Sequence, residues 1–231
     1  FWQILPVGPT SFGDSPYQSC STFAGNPYFI DLDTLIEEGV LTKEECDCLD
    51  FGSEETDIDY AALYENRYIL LTMAYERSNI SQDPDYQQFL AENRWWLDDY
   101  ALFMALKVHY NYCQWTLWND EHKNVVSARE NKGEFESEMN FWKWIQFEFM
   151  KEWKEVVEYA HSKDITIIGD MPIYLSHDSA DVWANPHLFS LDEDMHIKRC
   201  AGVPPDYFCA DGQKWGNPLY NWDTLKKEGY S

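Results

Sequence analysis

The chain has 231 residues, of which 45% are hydrophobic and 17% aromatic, and its formal net charge is -24 at pH 7. This acidity argues against nucleic acid or an anionic membrane as partner, because both attract clustered Lys and Arg side chains. We therefore expect a globular protein with one large core or two smaller ones, whose carboxylates lie mostly on the solvated surface.

The cysteines and the hydropathy pattern predict a cytoplasmic protein. None of the six cysteines forms a Cys-x-x-Cys pair or a zinc-spaced Cys/His set, so they are typical of a reducing compartment. No apolar run reaches the roughly 18 residues of a membrane span, and no signal peptide opens the chain. We expect Asn79, which lies in a glycosylation sequon, to carry no glycan.

The first predicted element is a strand that begins at Phe1 and ends near Pro6, followed by a loop over residues 8–17. The loop is too rich in Gly and Pro for a helix. Loops of this kind carry function more often than the scaffold does. Phe12 and Tyr17 are therefore either ligand contacts or loop core, and a ligand role is favoured for Tyr17.

Local signals predict helices over most of residues 32–118. Gly39 is placed to end a short helix, and Thr42 with Glu45 forms a capping box that begins the next one. The following helical pattern is interrupted at Asp83-Pro84. Its many aromatic side chains are predicted to form a packed core, and the polar residues 119–137 are predicted to be a loop.

A helix and a strand follow, and they organise the rest of the chain. Apolar residues spaced three and four apart predict an amphipathic helix from about Glu138 to Ala160. The β-branched run 165–174 predicts a strand buried on both faces, as in a parallel sheet covered by helices. Asp170 lies at the carboxyl end of this strand, where ligands bind in such sheets. The residues alone leave open whether Asp170 contacts a ligand or stabilises the loop.

Beyond this strand, two polar segments allow more than one interpretation. His177, Asp178 and Asp181 could ligate a metal, but helix capping explains them equally well, so we expect neither a metal nor another cofactor. Residues 202–220 form a long loop rich in Pro, Gly and aromatic residues, which is either a lid or an irregular surface loop.

Three blocks of the sequence resemble glycoside hydrolase family 77, the 4-α-glucanotransferases, also called amylomaltases or disproportionating enzymes. They span Trp2 to Tyr28, Ile168 to Trp183, and Gly202 to Tyr220. The helical middle, about Phe51 to Glu138, is similar to the family only in general character.

The resemblance implies an α/β fold, a TIM (β/α)₈ barrel with inserted subdomains, of which this chain would hold about strands 2 and 3 and a large helical insertion. The implied segments are a barrel strand and substrate loop at 1–36, a mostly helical insertion at 37–138, and a barrel helix, strand and aromatic lid loop at 139–231. Because such barrels need eight strands and about 250 residues, we expect the chain to be a fragment of a longer protein.

The resemblance also implies substrate contacts near the first strand. In similar enzymes the tyrosine that matches Tyr17 stacks on the sugar beside the scissile bond, and the aspartate that matches Asp170 lies in the same subsite. Phe12 stands where some relatives carry a tyrosine at a secondary glucan-binding position, so stacking is possible there without the hydroxyl.

The last block is expected to complete the substrate site. Asp206, Tyr207 and Phe208 match a loop that overhangs the cleft and guides the acceptor glucan. Trp215 and Asn217, in the same block, are expected to join these glucan contacts.

The implied activity is transfer of 1,4-α-glucan segments to an acceptor glucan or glucose by a retaining double displacement, which uses two carboxyl groups about 5 to 5.5 Å apart. The partners would be α-1,4-glucans such as maltodextrin, starch or glycogen chains. In the family the nucleophile follows an Arg-x-Asp pattern on the next barrel strand, and none of the catalytic carboxylates matches a position before Ser231. We therefore assign no catalytic residue here.

Two alternatives stay open at the level of the sequence. A serine esterase that uses Ser15 would need a positioned histidine, and no suitable Asp-x-x-His spacing occurs. A non-catalytic glucan-binding protein would contain the same binding residues and would lack transferase activity.

Overall fold

The structure is a computed structural model that describes residues 1–11, 13–52 and 56–230. Phe12 lies outside the described residues. The strands are β1 (Trp2–Gln3), β2 (Ile167–Ile168), β3 (Cys200–Val203) and β4 (Gln213–Pro218). The α-helices are α1 (Leu32–Glu37), α2 (Lys43–Asp47), α3 (Tyr60–Ser78), α4 (Pro84–His109), α5 (Asp120–Lys123), α6 (Val125–Glu130), α7 (Glu136–Ser162), α8 (Ala180–Ala184) and α9 (Trp222–Lys227). Short 3₁₀ turns lie at Pro27–Phe29, Ile80–Gln82, Trp115–Leu117, Lys132–Phe135 and Pro186–Leu188.

β1 and β2 form a parallel pair, as the helix-then-strand pattern predicts. Trp2 is opposite Ile167 and Gln3 is opposite Ile168. The second strand is shorter than predicted, and the expectation that it is buried on both faces is wrong, since Ile168 is 45% exposed.

The core lies between the long helices α4 and α7. Tyr86 and Phe89 of α4 meet the ring of Phe147 of α7 at centroid distances of 5.3 and 5.6 Å. The short helix α8 adds Trp183, whose ring lies 5.8 Å from that of Phe103. Most aromatic residues of the helical middle are buried in one hydrophobic cluster or partly buried against it, which confirms their predicted role as packing core.

The helix ends follow their capping residues. The Thr42 capping box is formed, and Asp83 accepts hydrogen bonds from the first turn of α4. The prediction of a loop over residues 119–137 is wrong, because this segment contains α5 and α6. Asn119 and Asn124, which can be interpreted as loop formers, are in fact the N-caps of these two helices.

Residues 200–218 form an antiparallel hairpin in place of the predicted irregular loop. Gly202 is opposite Lys214, and a Cβ atom at position 202 would lie 2.2 Å from the carbonyl oxygen of Gln213. A glycine is therefore needed for this close approach of the two strands. We call residues 200–218 the β3–β4 hairpin.

A single hydrophobic cluster includes side chains from residues 1–36, 37–138 and 139–231. The three segments therefore share one core, and their boundaries stay a prediction. Among the described residues, every helix is too short or too polar to cross a membrane.

Candidate functional site

A cleft of about 210 Å³ is lined by residues that follow β1 and β2 and by one side of α7. We call it the β1–β2 cleft. Its apolar wall comes from Phe149, Met150 and Trp153 of α7. Its rim carries Tyr17 and Asp170. The cleft therefore combines aromatic surface with a hydrogen-bonding group, as ligand sites commonly do.

Tyr17 and Asp170 touch across the rim. The Tyr17 hydroxyl donates to Oδ2 of Asp170 over 2.7 Å, although 153 positions separate the two residues. The parallel pairing of β1 and β2 explains the contact, since it brings both carboxyl ends to one edge. Its hydrogen bond to Asp170 raises the pKa of Tyr17, so the hydroxyl keeps the proton that it donates.

Asp170 has one oxygen left for a ligand. Among the described residues, the Tyr17 hydroxyl is the hydrogen-bond donor to this carboxylate, and it bonds to Oδ2 and not to Oδ1. Tyr17 is half-exposed, so its ring also has free surface. The pair can therefore offer an aromatic face and a fixed hydrogen-bond acceptor to the same ligand.

The loop between β1 and the first 3₁₀ turn, residues 4–26, is held by side chains that sequence analysis did not identify. The amide of the fully buried Gln146 accepts from the Gly25 N–H over 2.7 Å and donates to the Gly25 carbonyl over 3.0 Å. Asp181 accepts from the Thr22 N–H over 3.0 Å. A glutamine on the apolar side of α7, next to Ile145, is the sequence signal that would have indicated such a role.

The β3–β4 hairpin is attached to this loop by a pair of amides. The Gln18 side chain donates to Oδ1 of Asn217 over 3.0 Å, and Asn217 donates to the Leu175 carbonyl over 2.8 Å. Asn217 is buried, and its amide is used in holding three segments together. A glucan contact by Asn217 stays a prediction. Gln18 was not singled out by the sequence, and no local pattern marks it.

The hairpin tip carries the two most exposed aromatic residues of this region. Tyr207 and Phe208 are 98% and 90% exposed. Asp206 Oδ1 accepts from the N–H groups of Phe208 and Cys209 at 2.9 and 2.8 Å, which fixes the turn. None of these three predicted residues lines the β1–β2 cleft in the structure. Their contact with a glucan stays a prediction.

Trp215 connects the hairpin to the cleft by an aromatic contact. Its ring lies 6.1 Å from that of Tyr174, which lines the cleft, and Tyr174 stacks on Tyr220 at 6.2 Å. Trp215 is partly exposed. Its ring therefore continues the aromatic surface of the cleft toward the hairpin.

The possible metal ligands are used in the fold. Asp178 forms an ion pair of 2.7 Å with the buried Lys107 and accepts from the Trp115 N–H. His177 Nε2 lies 2.9 Å from the Met195 carbonyl, and burial lowers its pKa. These are packing contacts, and the residue that caps α8 is Ser179, whose Oγ accepts from the Val182 N–H.

The described cleft residues do not support an esterase either. Ser15 Oγ accepts from the Tyr17 N–H over 3.3 Å, and no histidine is among the residues that line the cleft in the described part of the chain. Asp170 is also the only carboxylate among those residues. A retaining glycosidase needs two carboxyl groups, so the described cleft lacks a complete catalytic pair.

A parallel strand pair that is packed on a helix and ends in a cleft is typical of the α/β class of proteins. A family model described as 4-alpha-glucanotransferase, that of glycoside hydrolase family 77, matches residues 1–231. The chain belongs to this family, as its sequence blocks predict.

Individual relatives agree with this assignment. The chain is 44% identical to a 4-alpha-glucanotransferase from Clostridium butyricum and 43% identical to one from Thermus thermophilus, with all of this chain and 48% and 46% of those proteins covered. The amylomaltase from Streptococcus agalactiae, solved in complex with acarbose, matches with a TM-score of 0.94 and 41% identity over all of this chain and 47% of that one. The chain thus spans about half the length of the relatives it matches.

Proposed function

We propose that the full-length protein containing this sequence is a 4-α-glucanotransferase, which transfers segments of 1,4-α-glucans to an acceptor glucan or glucose by a retaining double displacement. Family membership supports this proposal. The observation that carries it is the contact between Tyr17 and Asp170 at the rim of an aromatic cleft. In the proposed fold, β1 and β2 are about the second and third strands of a TIM barrel with a large helical insertion.

The proposed role of this chain is to bind and orient the glucan. The apolar face of a glucose ring lies on the Tyr17 ring, while Oδ1 of Asp170 accepts a hydrogen bond from a sugar hydroxyl. The hydroxyl of Tyr17 keeps the carboxylate in place through Oδ2. Holding the sugar in one orientation lowers the entropic part of the barrier to reaction.

The catalytic carboxylates are proposed to lie in the remainder of the protein. This follows from Asp170 being the only carboxylate among the described residues that line the cleft, and from the two carboxyl groups that retention needs. The 231-residue segment alone is therefore expected to bind glucan without transferring it.

The β3–β4 hairpin is proposed to favour an acceptor sugar over water. Tyr207 and Phe208 at its tip are exposed and free to contact an incoming glucan, and Trp215 extends the aromatic surface between the tip and the cleft. Covering the cleft during the reaction would exclude water from the glycosyl intermediate.

Incubation of the full-length protein with maltotriose tests the proposal. Transfer produces glucose together with maltodextrins longer than maltotriose, and chromatography separates these products. A hydrolase would release glucose and maltose without longer products. A non-catalytic glucan-binding protein, which the incomplete carboxylate pair would also suit, would leave maltotriose unchanged while still binding amylose.

A further inference from the structure

Trp95 of α4 is exposed, unlike the two residues that follow it, which pack in the core. Trp95 is 66% exposed, whereas Trp96 and Leu97, which follow it, are buried. Phe23 of the loop after β1 lies against Trp95, with a centroid distance of 4.6 Å and nearly perpendicular rings. Phe23 is itself 42% exposed. We call these two residues the Phe23–Trp95 platform.

A surface depression of about 350 Å³ adjoins Trp95. Polar side chains line most of it, and two of them are fixed by a bidentate ion pair in which Arg129 donates to both oxygens of Asp99 over 2.8 and 2.7 Å. The carboxylate of Asp98 is held by Lys143 and Arg94. The lining residues are Arg94, Trp95, Asp98, Asp99, Leu102, Arg129 and Lys132.

This combination is suited to a sugar. A glucose ring has an apolar face that stacks on an aromatic ring and a rim of hydroxyl groups that bind fixed charged donors and acceptors. Because the ion pairs hold the polar groups in place before binding, a ligand would not have to order them. Among the described residues that line the depression, Trp95 supplies the one large apolar ring, which is little for docking a protein partner.

The platform is continuous with the β1–β2 cleft. Phe23 lines that cleft, as do Tyr17 and Asp170, and its ring also contacts Trp95. A long glucan bound in the cleft therefore has an aromatic surface along which it can continue toward α4. A second contact on the same chain raises the effective concentration of the glucan at the cleft.

We propose that Trp95 and the depression beside it form a surface binding site for α-glucan. This site lies outside the β1–β2 cleft, does not include Phe12, and holds a remote part of a long glucan. The inference rests on the proposed function, since both sites bind the same class of ligand. It assigns a role in polymer binding to Trp95, Asp99 and Arg129. Short maltodextrins, which end before reaching α4, are bound by the cleft alone.

The test compares Trp95→Ala with wild type in the full-length protein. Electrophoresis through gels that contain amylopectin measures polymer affinity from the retardation of the protein band. Trp95→Ala should weaken this affinity roughly fivefold to tenfold, the range expected for loss of one aromatic contact, while maltotriose disproportionation stays within about twofold. Trp95→Phe should retain most of the affinity. Tyr159→Ala, at another exposed aromatic position on a long helix, is the matched control and should leave affinity unchanged.

The outcomes separate this inference from the proposed function. Equal retardation of wild type and Trp95→Ala would overturn the surface site, as would an equal loss in Trp95→Ala and Tyr159→Ala. Far-ultraviolet circular dichroism verifies that each variant is folded. If wild type failed to disproportionate maltotriose while Trp95→Ala still lost amylopectin binding, the transferase proposal would fail and the surface site would stand.

Discussion

Gln146 offers the sharpest test of how the fold positions the cleft. Its amide pairs with both backbone groups of Gly25, at 2.7 and 3.0 Å, in a fully buried position. Replacing Gln146 with Leu keeps the size of the side chain, and it leaves the N–H and the C=O of Gly25 without partners. Each buried polar group that loses its partner costs about 1 to 3 kcal/mol, so the two groups together should lower the free energy of unfolding by about 2 to 6 kcal/mol.

The assay is urea unfolding of the full-length protein, followed by tryptophan fluorescence, together with maltotriose kinetics. Because Gly25 lines the cleft, the KM for maltotriose should rise along with the loss of stability. Gln88→Leu is the control, since Gln88 is exposed and bonds only to Glu92 among the described residues. It should change the free energy of unfolding by less than about 0.5 kcal/mol. A Gln146→Leu variant as stable as this control would refute the reasoning.

Four further predictions concern the cleft, the hairpin tip, a part-buried ion pair and a buried histidine. Tyr17→Phe should lower kcat/KM for maltotriose by about fivefold to tenfold, because Asp170 loses the donor that orients it. Tyr207→Ala combined with Phe208→Ala should raise hydrolysis relative to transfer, measured as the ratio of maltose to longer products, without lowering Tm. Lys107→Met should cost about 3 kcal/mol of stability in urea unfolding, because it leaves the part-buried carboxylate of Asp178 without its cation. His122→Asn should reduce the fall in Tm between about pH 7.5 and about pH 5.5. Burial lowers the pKa of His122 in the folded protein. The unfolded chain therefore binds more protons than the folded protein as the pH falls, which destabilises the wild type.

Each of these predictions has a result that contradicts it. Unchanged kinetics in Tyr17→Phe would mean that the hydroxyl does not orient the substrate site. An unchanged product ratio would remove the hairpin tip from acceptor selection. Lys43→Met, at an exposed ion pair, is the control for Lys107→Met and should cost under about 1 kcal/mol. A pH dependence of Tm in His122→Asn equal to that of wild type would exclude His122 as its source.

Short-range signals predicted the helical part of the fold well. The break at Asp83-Pro84 and the Thr42 capping box depend on residues within one helical turn, so the sequence alone identifies them. Asn119 and Asn124 show the limit of this approach. An asparagine suits a loop and an N-cap equally, and only the packing of α5 and α6 against their neighbours decides between them.

Long-range features were predicted only where the family resemblance or a topological rule applied. The resemblance implied that Tyr17 and Asp170 share a subsite, and the parallel strands, whose carboxyl ends share an edge, explain their contact. The β3–β4 hairpin was missed, because its register depends on a close approach at Gly202 that no alternating pattern announces. The hydrogen bonds between Gln146 and Gly25 were also missed, because 121 positions separate the two residues and no local pattern connects them.

The central claim is that Tyr17 and Asp170 form one sugar-binding contact, and a crystal structure of the full-length protein with acarbose tests it most directly. We expect a sugar ring stacked on Tyr17, with one sugar hydroxyl group about 2.5 to 3.0 Å from Asp170 Oδ1, which is hydrogen-bonding distance. Acarbose bound elsewhere, with the rim of the β1–β2 cleft free of sugar, would contradict it.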